Sequence, residues 1–418
     1  MAKYIVEGGR RLSGQAQIHG AKNAVLPILA ATLLMGKSTI LNCPSLSDVS
    51  AACAILSHLG CRVTREADRV HVLTDQLVSS TIPEDLMREM RSSVVFLGAI
   101  IARCGRARVS MPGGCELGPR PIDLHLSALE KLGVNIEEDH GYLNCTVPDR
   151  LRGANIILDF PSVGATENIM LAACTAEGET VIHNPAREPE IVDLASFLQK
   201  AGAKIQIGEN GTIYIQGVER LSEIEHSVIP DRIEAATYLC CAAITGGEVW
   251  LERVVPSHMN AIFPILEEAG CQLKIAPDKI YLKAPARVTA PKLIRTMPYP
   301  GFPTDAQSPL MAVSCIAEGS TIFVENIFEN RYKQAGELGR MGAKIKVEGR
   351  VAVVEGVQKL HGAQLVCTDL RGGASLLCAA LSAEGESEIK DIYHIERGYQ
   401  DFDKNLKSLG AILKTAPD

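Results

Sequence analysis

Residues 111–123 read Met-Pro-Gly-Gly-Cys-Glu-Leu-Gly-Pro-Arg-Pro-Ile-Asp and suspend one thiol, Cys115, in a run of glycines and prolines. Gly113, Gly114 and Gly118 permit backbone conformations that other residues resist, while Pro112, Pro119 and Pro121 forbid a regular ladder. The segment is therefore expected to lie over the surface as an irregular flap. A cysteine kept for packing sits among apolar neighbours, and this one does not. Arg120 follows closely. Its guanidinium would favour the thiolate and could hold an anionic substrate beside the sulfur.

The chain carries 13 cysteines, an odd number, with no Cys-x-x-Cys pair and no His/Cys cluster at metal-ligand spacing. Neither a disulfide framework nor a zinc site is supported. Cys53, Cys174, Cys240, Cys241, Cys315 and Cys378 lie in alanine- and leucine-rich segments and read as small core residues. A reduced, cytoplasmic protein is expected. The amino terminus shows no signal-peptide hydrophobic region, and no apolar run reaches the roughly 18 residues of a membrane span. The net charge of −7 argues against a nucleic-acid or acidic-membrane partner, so any anion site must be local. No obligate protein partner is evident.

The elements that must position such a site follow from internal repeats. A helix-ending glycine recurs at Gly60, Gly133, Gly202, Gly270, Gly342 and Gly410, at intervals of 68 to 73 residues, each followed by alternating strand-like residues. A second series, Gly36, Gly105, Gly178, Gly247, Gly319 and Gly385, ends the apolar segment before it. Glycine just past a helix end is the left-handed cap, and the β-branched run after it is the next strand. The spacing predicts six copies of one unit of about 70 residues, each a strand, a helix, a strand, a second helix and further strands. The first helices, for example 22–35, 91–104 and 305–318, are apolar or small on nearly all sides and are expected to be buried. The second helices, 48–60, 121–133 and 189–202, mix charge with an apolar stripe and are expected to be half exposed.

Grouped in threes, the units predict an α/β protein of two similar domains. The first spans residues 22–229 and carries the cysteine loop; the second combines 1–21 with 230–418. A first strand over 5–18 precedes Lys22 and can cross to complete the second half.

Where a strand enters each first helix, the repeat places Lys22, Arg91, Val163, Asp231, Asp305 and Arg371. Free amides at a helix start favour anions, and three cationic side chains add to that field. Asp231 and Asp305 also read as helix caps. Arg120 and Arg397 form a second matching pair, each 13 residues before its own capping glycine and each opening a second helix.

Several of these residues fall in longer motifs. Gly-Ala-Lys-Asn at 20–23, the loop at 112–123, Ser-Val-Gly-Ala-Thr at 162–166 and Pro-Thr-Asp at 303–305 together resemble the UDP-N-acetylglucosamine 1-carboxyvinyltransferases. Glu-Asn-Arg at 329–331 and His-Ile-Glu-Arg-Gly-Tyr at 394–399 extend the likeness over essentially the whole chain. The resemblance implies an inside-out α/β barrel of two domains with the active site in the cleft between them. It implies transfer of the enolpyruvyl group of phosphoenolpyruvate to the 3-hydroxyl of UDP-N-acetylglucosamine, the first committed step of peptidoglycan synthesis, without metal or organic cofactor.

By position, the resemblance assigns Cys115 as proton donor and as the thiol that forms covalent adducts with phosphoenolpyruvate or fosfomycin. Asp305 is the matching base. Lys22, Arg120 and Arg397 would hold phosphoenolpyruvate. Asn23, Asp305 and Ile327 would contact the amino sugar, and Arg91, Pro121, Ile122, Asp123, Leu124, Ser162 and Val163 the uridine and diphosphate. Arg331 and Arg371 would extend a cationic rim. Ser47 stands where the family often has a hinge lysine, and Phe160 near where it often has a cation, departures that bear on nucleotide affinity. Three alternatives stay open. A 5-enolpyruvylshikimate-3-phosphate synthase shares the fold and reaction type but lacks the Cys115 loop. A non-catalytic nucleotide-sugar binder would be marked by loss of Cys115, Lys22, Arg397 or Asp305. An RNA-terminal cyclase would want a basic surface.

Overall fold

The computed structural model describes residues 2–90, 92–111 and 122–417. By its internal contacts the chain divides into two compact units. One runs from Gly20 to Ile229, and the other joins the segment up to His19 to everything from Pro230 onward.

The repeat is clearest in its third copy. Strand Asn155–Ile157 leads into helix Val163–Ala173, strand Glu179–His183, helix Pro189–Lys200 and a pair of strands, Lys204–Ile207 and Ile213–Gln216. Asn155 pairs in parallel with Val181, and Val181 is antiparallel to Tyr214. The parallel pair needs a crossover, and the inner helix supplies it. Six four-stranded sheets repeat this order.

Each unit wraps three sheets around three inner helices. In the first these are Lys22–Ala31, Phe96–Cys104 and Val163–Ala173; in the second, Arg232–Ile244, Thr304–Ser314 and Leu370–Ser382. Alanine-rich composition lets them pack closely, and every residue of Arg232–Ile244 is buried. Helix Thr304–Ser314 packs against both of its inner neighbours. Helices inside and sheets outside make each unit an inside-out α/β barrel. The outer helices Ser47–Leu59, Asp123–Lys131 and Pro189–Lys200 have shorter counterparts in the second unit, Phe263–Glu268, Gln334–Arg340 and Phe402–Ser408.

All six helix-ending glycines, Gly60 to Gly410, have φ between 89° and 112°. In the second series Gly36 and Gly247 do not take a left-handed turn, and beside the latter Gly246 does, with φ 62°.

The amino-terminal segment corrects one expectation. Residues 5–18 are not a single strand: Ala2–Glu7 lies between Glu386–Lys390 and Ile412–Pro417, and Ser13–Gln17 pairs in parallel with Glu248–Glu252. The break falls at Gly8, where a Cβ would sit 2.2 Å from the Ala383 carbonyl oxygen, and at Gly9, with φ 83°. In the first unit the missing edge strand is Ile224–Ser227, parallel to Lys37–Leu41.

The chain crosses between units at His19–Gly20 and Ile229–Pro230. On one side the Asp231 amide donates to the His19 carbonyl at 2.8 Å and the His19 amide to Glu234 Oε2 at 2.9 Å. On the other the Ala21 amide donates to the Ile229 carbonyl at 2.8 Å and the Ile229 amide to Asp193 Oδ2 at 3.2 Å.

No helix among the described residues is long and apolar enough to cross a membrane. The twelve described cysteines are free thiols, ten of them buried. Burial pushes Cys174 and Cys315 up to about 12, which makes them inert as nucleophiles near neutrality.

Candidate active site

In the unit of residues 20–229, Lys22 is the first residue of an inner helix and Asn23 the second. Lys22 Nζ lies 2.9 Å from Oδ2 of Asp48, whose side chain is buried in the first turn of helix Ser47–Leu59. Ser47 is exposed and opens that helix.

Ser162 caps helix Val163–Ala173, its hydroxyl accepting from the Ala165 amide at 3.3 Å. Phe160, exposed, is two residues before that cap. Ile122 is buried ahead of helix Asp123–Lys131, with Asp123 exposed and Leu124 half-buried. The next residue, His125, is buried and shares a 3.0 Å hydrogen bond with Asn168 Nδ2, tying this helix to Val163–Ala173. Arg91, Cys115, Arg120 and Pro121 lie outside the described residues.

The second unit gathers charge from three repeats. Asp305 is the second residue of helix Thr304–Ser314 and takes Arg331 Nη2 on Oδ1 at 2.7 Å and Arg371 Nη2 on Oδ2 at 3.1 Å. Asp305 is therefore not a helix cap, as its position suggested: the cap residue is Pro303 and no side chain caps that end. Asp231 does cap its helix, accepting from the Ile233 and Glu234 amides at 2.8 and 3.0 Å.

Arg331 and Arg371 are almost fully buried and point at Asp305, so the cationic rim expected of them is an internal clamp. Arg371 lies over the Tyr399 ring at 5.1 Å, and the Tyr399 hydroxyl is 2.9 Å from Thr237 Oγ1. Burial works against the Arg371 charge, but Tyr399, Asp305 and Asp231 outweigh it and raise its pKa. Burial likewise pushes the Tyr399 phenol up to about 12, against the pull of Arg371. Asp305 thus stands between two guanidiniums, with Asp231 adding a second negative charge near Arg371. Arg331 Nε and Arg371 Nη1 are buried and find no acceptor among the described residues. Buried donors of this kind suit an anion or a developing negative charge.

Arg397 is half-buried and ends the short helix Tyr393–Glu396; it does not open a helix, because the second helix of this repeat is split and resumes only at Phe402. The Ile327 amide donates at 2.8 Å to Glu325, a fully buried carboxylate that sequence reasoning missed. A signal existed in the repeat. Six residues past Gly36, Gly178, Gly247 and Gly385 stand Asn42, Asn184, Arg253 and Asp391, each with φ between 52° and 58°; the same place after Gly319 is Glu325.

Along its length the chain is similar to known proteins. The EPSP synthase (3-phosphoshikimate 1-carboxyvinyltransferase) family matches residues 6–406. The chain is 51% identical to UDP-N-acetylglucosamine 1-carboxyvinyltransferase 2 of Caldanaerobacter subterraneus subsp. tengcongensis, over 98% of this chain and 99% of that one. It is 52% identical to UDP-N-acetylglucosamine 1-carboxyvinyltransferase 1 of Symbiobacterium thermophilum, over 98% and 94%. Among solved structures, the enolpyruvyl transferase NikO from Streptomyces tendae superposes with a TM-score of 0.90 at 25% identity, covering 100% of this chain and 99% of that one. EPSP synthase from Acinetobacter baumannii shares the fold, with a TM-score of 0.74 at 18% identity and both chains covered completely.

Proposed function

This chain belongs to the UDP-N-acetylglucosamine 1-carboxyvinyltransferase family, and on that premise we propose that it transfers the enolpyruvyl group of phosphoenolpyruvate to the 3-hydroxyl of UDP-N-acetylglucosamine, releasing phosphate. The near-full-length likeness to relatives of that name carries the reading. The reaction is the first committed step of peptidoglycan synthesis, a cytoplasmic step on which cell shape and division depend, and it needs no protein partner.

The chemistry assigns the roles. The Cys115 thiol gives a proton to carbon 3 of phosphoenolpyruvate, which leaves carbon 2 cationic and open to the sugar oxygen. A thiol, with a reference pKa of about 8.5, holds a proton near neutrality and can still give it up. Asp305 accepts the proton of the 3-hydroxyl as the carbon–oxygen bond forms. The hydroxyl becomes strongly acidic once its oxygen bonds to a cationic carbon, so a carboxylate suffices to take its proton. The Cys115 thiolate left by the first step takes a proton back from carbon 3, which restores the double bond and expels phosphate, and the Asp305 proton leaves with that phosphate.

Lys22, Arg120 and Arg397 hold the phosphate and carboxylate of phosphoenolpyruvate and neutralise the departing charge. Asn23, Asp305 and Ile327 take the amino sugar. Arg91, Pro121, Ile122, Asp123, Leu124, Ser162 and Val163 take the uridine and diphosphate, with Arg331 and Arg371 supporting through Asp305.

One assay tests the reading. Phosphate release from phosphoenolpyruvate should require UDP-N-acetylglucosamine, should not occur with shikimate 3-phosphate, and should stop after fosfomycin has alkylated Cys115. Release with shikimate 3-phosphate, or with neither acceptor, would overturn it.

A further inference from the structure

Glu325 follows strand Ser320–Val324 and is fully buried. Its Oε2 accepts from the Thr304 hydroxyl at 3.0 Å, and its Oε1 from the Ile327 and Phe328 amides at 2.8 and 3.0 Å. All three donors are neutral. A carboxylate withdrawn from water is costly to bury unless its lone pairs are met, so each of these bonds is under strong constraint. Thr304 immediately precedes Asp305 at the start of its helix. Ile327 lies two residues beyond Glu325 on the loop that continues to Arg331.

The repeat sharpens the point. At the same place in four other copies the chain makes a left-handed turn through Asn42, Asn184, Arg253 or Asp391, and the Asn42 and Asn184 side chains reach back to a neighbouring strand carbonyl, of Val228 and Leu158, at 2.8 Å. Those copies need only a turn. The second copy has Met111 there without such a turn, and the fifth also abandons the turn but places a carboxylate between two segments that carry site residues, the kind of local departure from a repeated rule that marks a functional position.

We infer that Glu325 is a positioning residue for the sugar acceptor: it locks the Ile327 loop to the first turn of the Asp305 helix, so that backbone contact and base meet the same amino sugar in register. The inference rests on the proposed transferase reading, which places Asp305 and Ile327 on that sugar. A displacement of the order of an ångström at either segment is enough to cost about 100-fold in a positioned reaction.

Steady-state kinetics with both substrates varied tests it. In Glu325→Ala the KM for UDP-N-acetylglucosamine should rise about tenfold or more while the KM for phosphoenolpyruvate changes less than about twofold, with kcat also reduced. In Glu325→Gln most of the loss should be recovered. The amide oxygen can still accept from Ile327 and Phe328, and its NH2 can donate to a Thr304 hydroxyl that has reversed its role. If Glu325→Ala does not fold, Thr304→Val severs one strut alone and should raise the same KM by about two- to fivefold.

A purely structural role would lower the melting temperature and the active fraction but leave the two KM values in their native ratio, and that result overturns the inference. So does a Glu325→Gln enzyme as impaired as Glu325→Ala. If the native protein itself releases no phosphate with UDP-N-acetylglucosamine, the transferase reading fails and the inference falls with it; native turnover with symmetric KM changes removes the inference alone.

Discussion

At the mouth of an inner helix in residues 20–229 the charged group is an ammonium, Lys22, 2.9 Å from the Asp48 carboxylate. At the matching mouth in the other unit it is a carboxylate, Asp305, with guanidinium nitrogens at 2.7 and 3.1 Å. The first arrangement is a single contact between an ammonium and a buried carboxylate. A compact ammonium with three donors on a flexible stem can add a substrate phosphate while it keeps that carboxylate. The second is directional. Two planar forks arriving on different oxygens fix the plane of the carboxylate, and their buried stems cannot swing away. In the proposed reaction the duplicated scaffolds would thus serve complementary tasks: one mouth would offer its charge to a ligand, the other would hold its charge in place.

Removing each central group should separate the tasks most sharply. Asp305→Asn keeps volume and one acceptor but cannot take a proton, so kcat should fall by about 10³-fold or more. Lys22→Met should act chiefly through phosphoenolpyruvate, lowering kcat/KM for it by about 10²-fold, and should also cost stability because Asp48 is left buried beside an apolar group. Kinetics with phosphoenolpyruvate as the varied substrate, read on the folded fraction, check both. An Asp305→Asn enzyme retaining a tenth of native kcat would remove Asp305 as base.

A subtler change tests the directional clamp. Arg371→Lys keeps the charge but loses the fork and the planar contact with Tyr399, which loosens one of the two guanidinium holds on Asp305. We expect kcat to drop about tenfold with little change in the KM for phosphoenolpyruvate, since the base is misdirected and the anion site is spared. Equal loss through both substrates would mean that Arg371 holds ligand directly.

The parts of this architecture legible in the sequence are those set by local rules. Glycine directly past a helix end favours positive φ, and Gly60, Gly133, Gly202, Gly270, Gly342 and Gly410 all adopt it, so their spacing announced six copies. The amino-terminal strands were harder, because their partners at Glu248–Glu252 and Glu386–Lys390 are distant in sequence and only the Gly8–Gly9 pair hinted at a break. Asp305 was misread as a cap for a related reason. A carboxylate at a helix start has a local use, but arginines 26 and 66 residues onward outcompete it. Glu325 was missed because its meaning lies in departing from four sister positions rather than in any motif.

The smallest effect concerns the chain crossing in the Asp305 unit, where Glu234 takes both the His19 amide and, at 2.9 Å, His19 Nδ1. Burial lowers the histidine's affinity for a proton, but the Glu234 hydrogen bond and charge, with a contribution from Asp401, prevail over it and over Arg253. The folded pKa is therefore raised above its ordinary 6.5. A histidine raised on folding adds stability that is complete below the unfolded value and is lost as pH climbs through the folded one. Glu234 is itself raised, first by its burial, so it costs stability from above 4.5 and cannot produce a gain in this window. Melting temperature should accordingly fall as pH rises from 6.5 toward 8.5. The His19→Gln protein, which keeps the amide contact but carries no titrating ring, should show a flatter profile over the same range. With His19 only partly withdrawn from solvent, the difference should not exceed about 1 kcal/mol, or about 2–4 °C. Parallel profiles for the two proteins would show that the His19–Glu234 contact carries no proton-linked stability at the crossing.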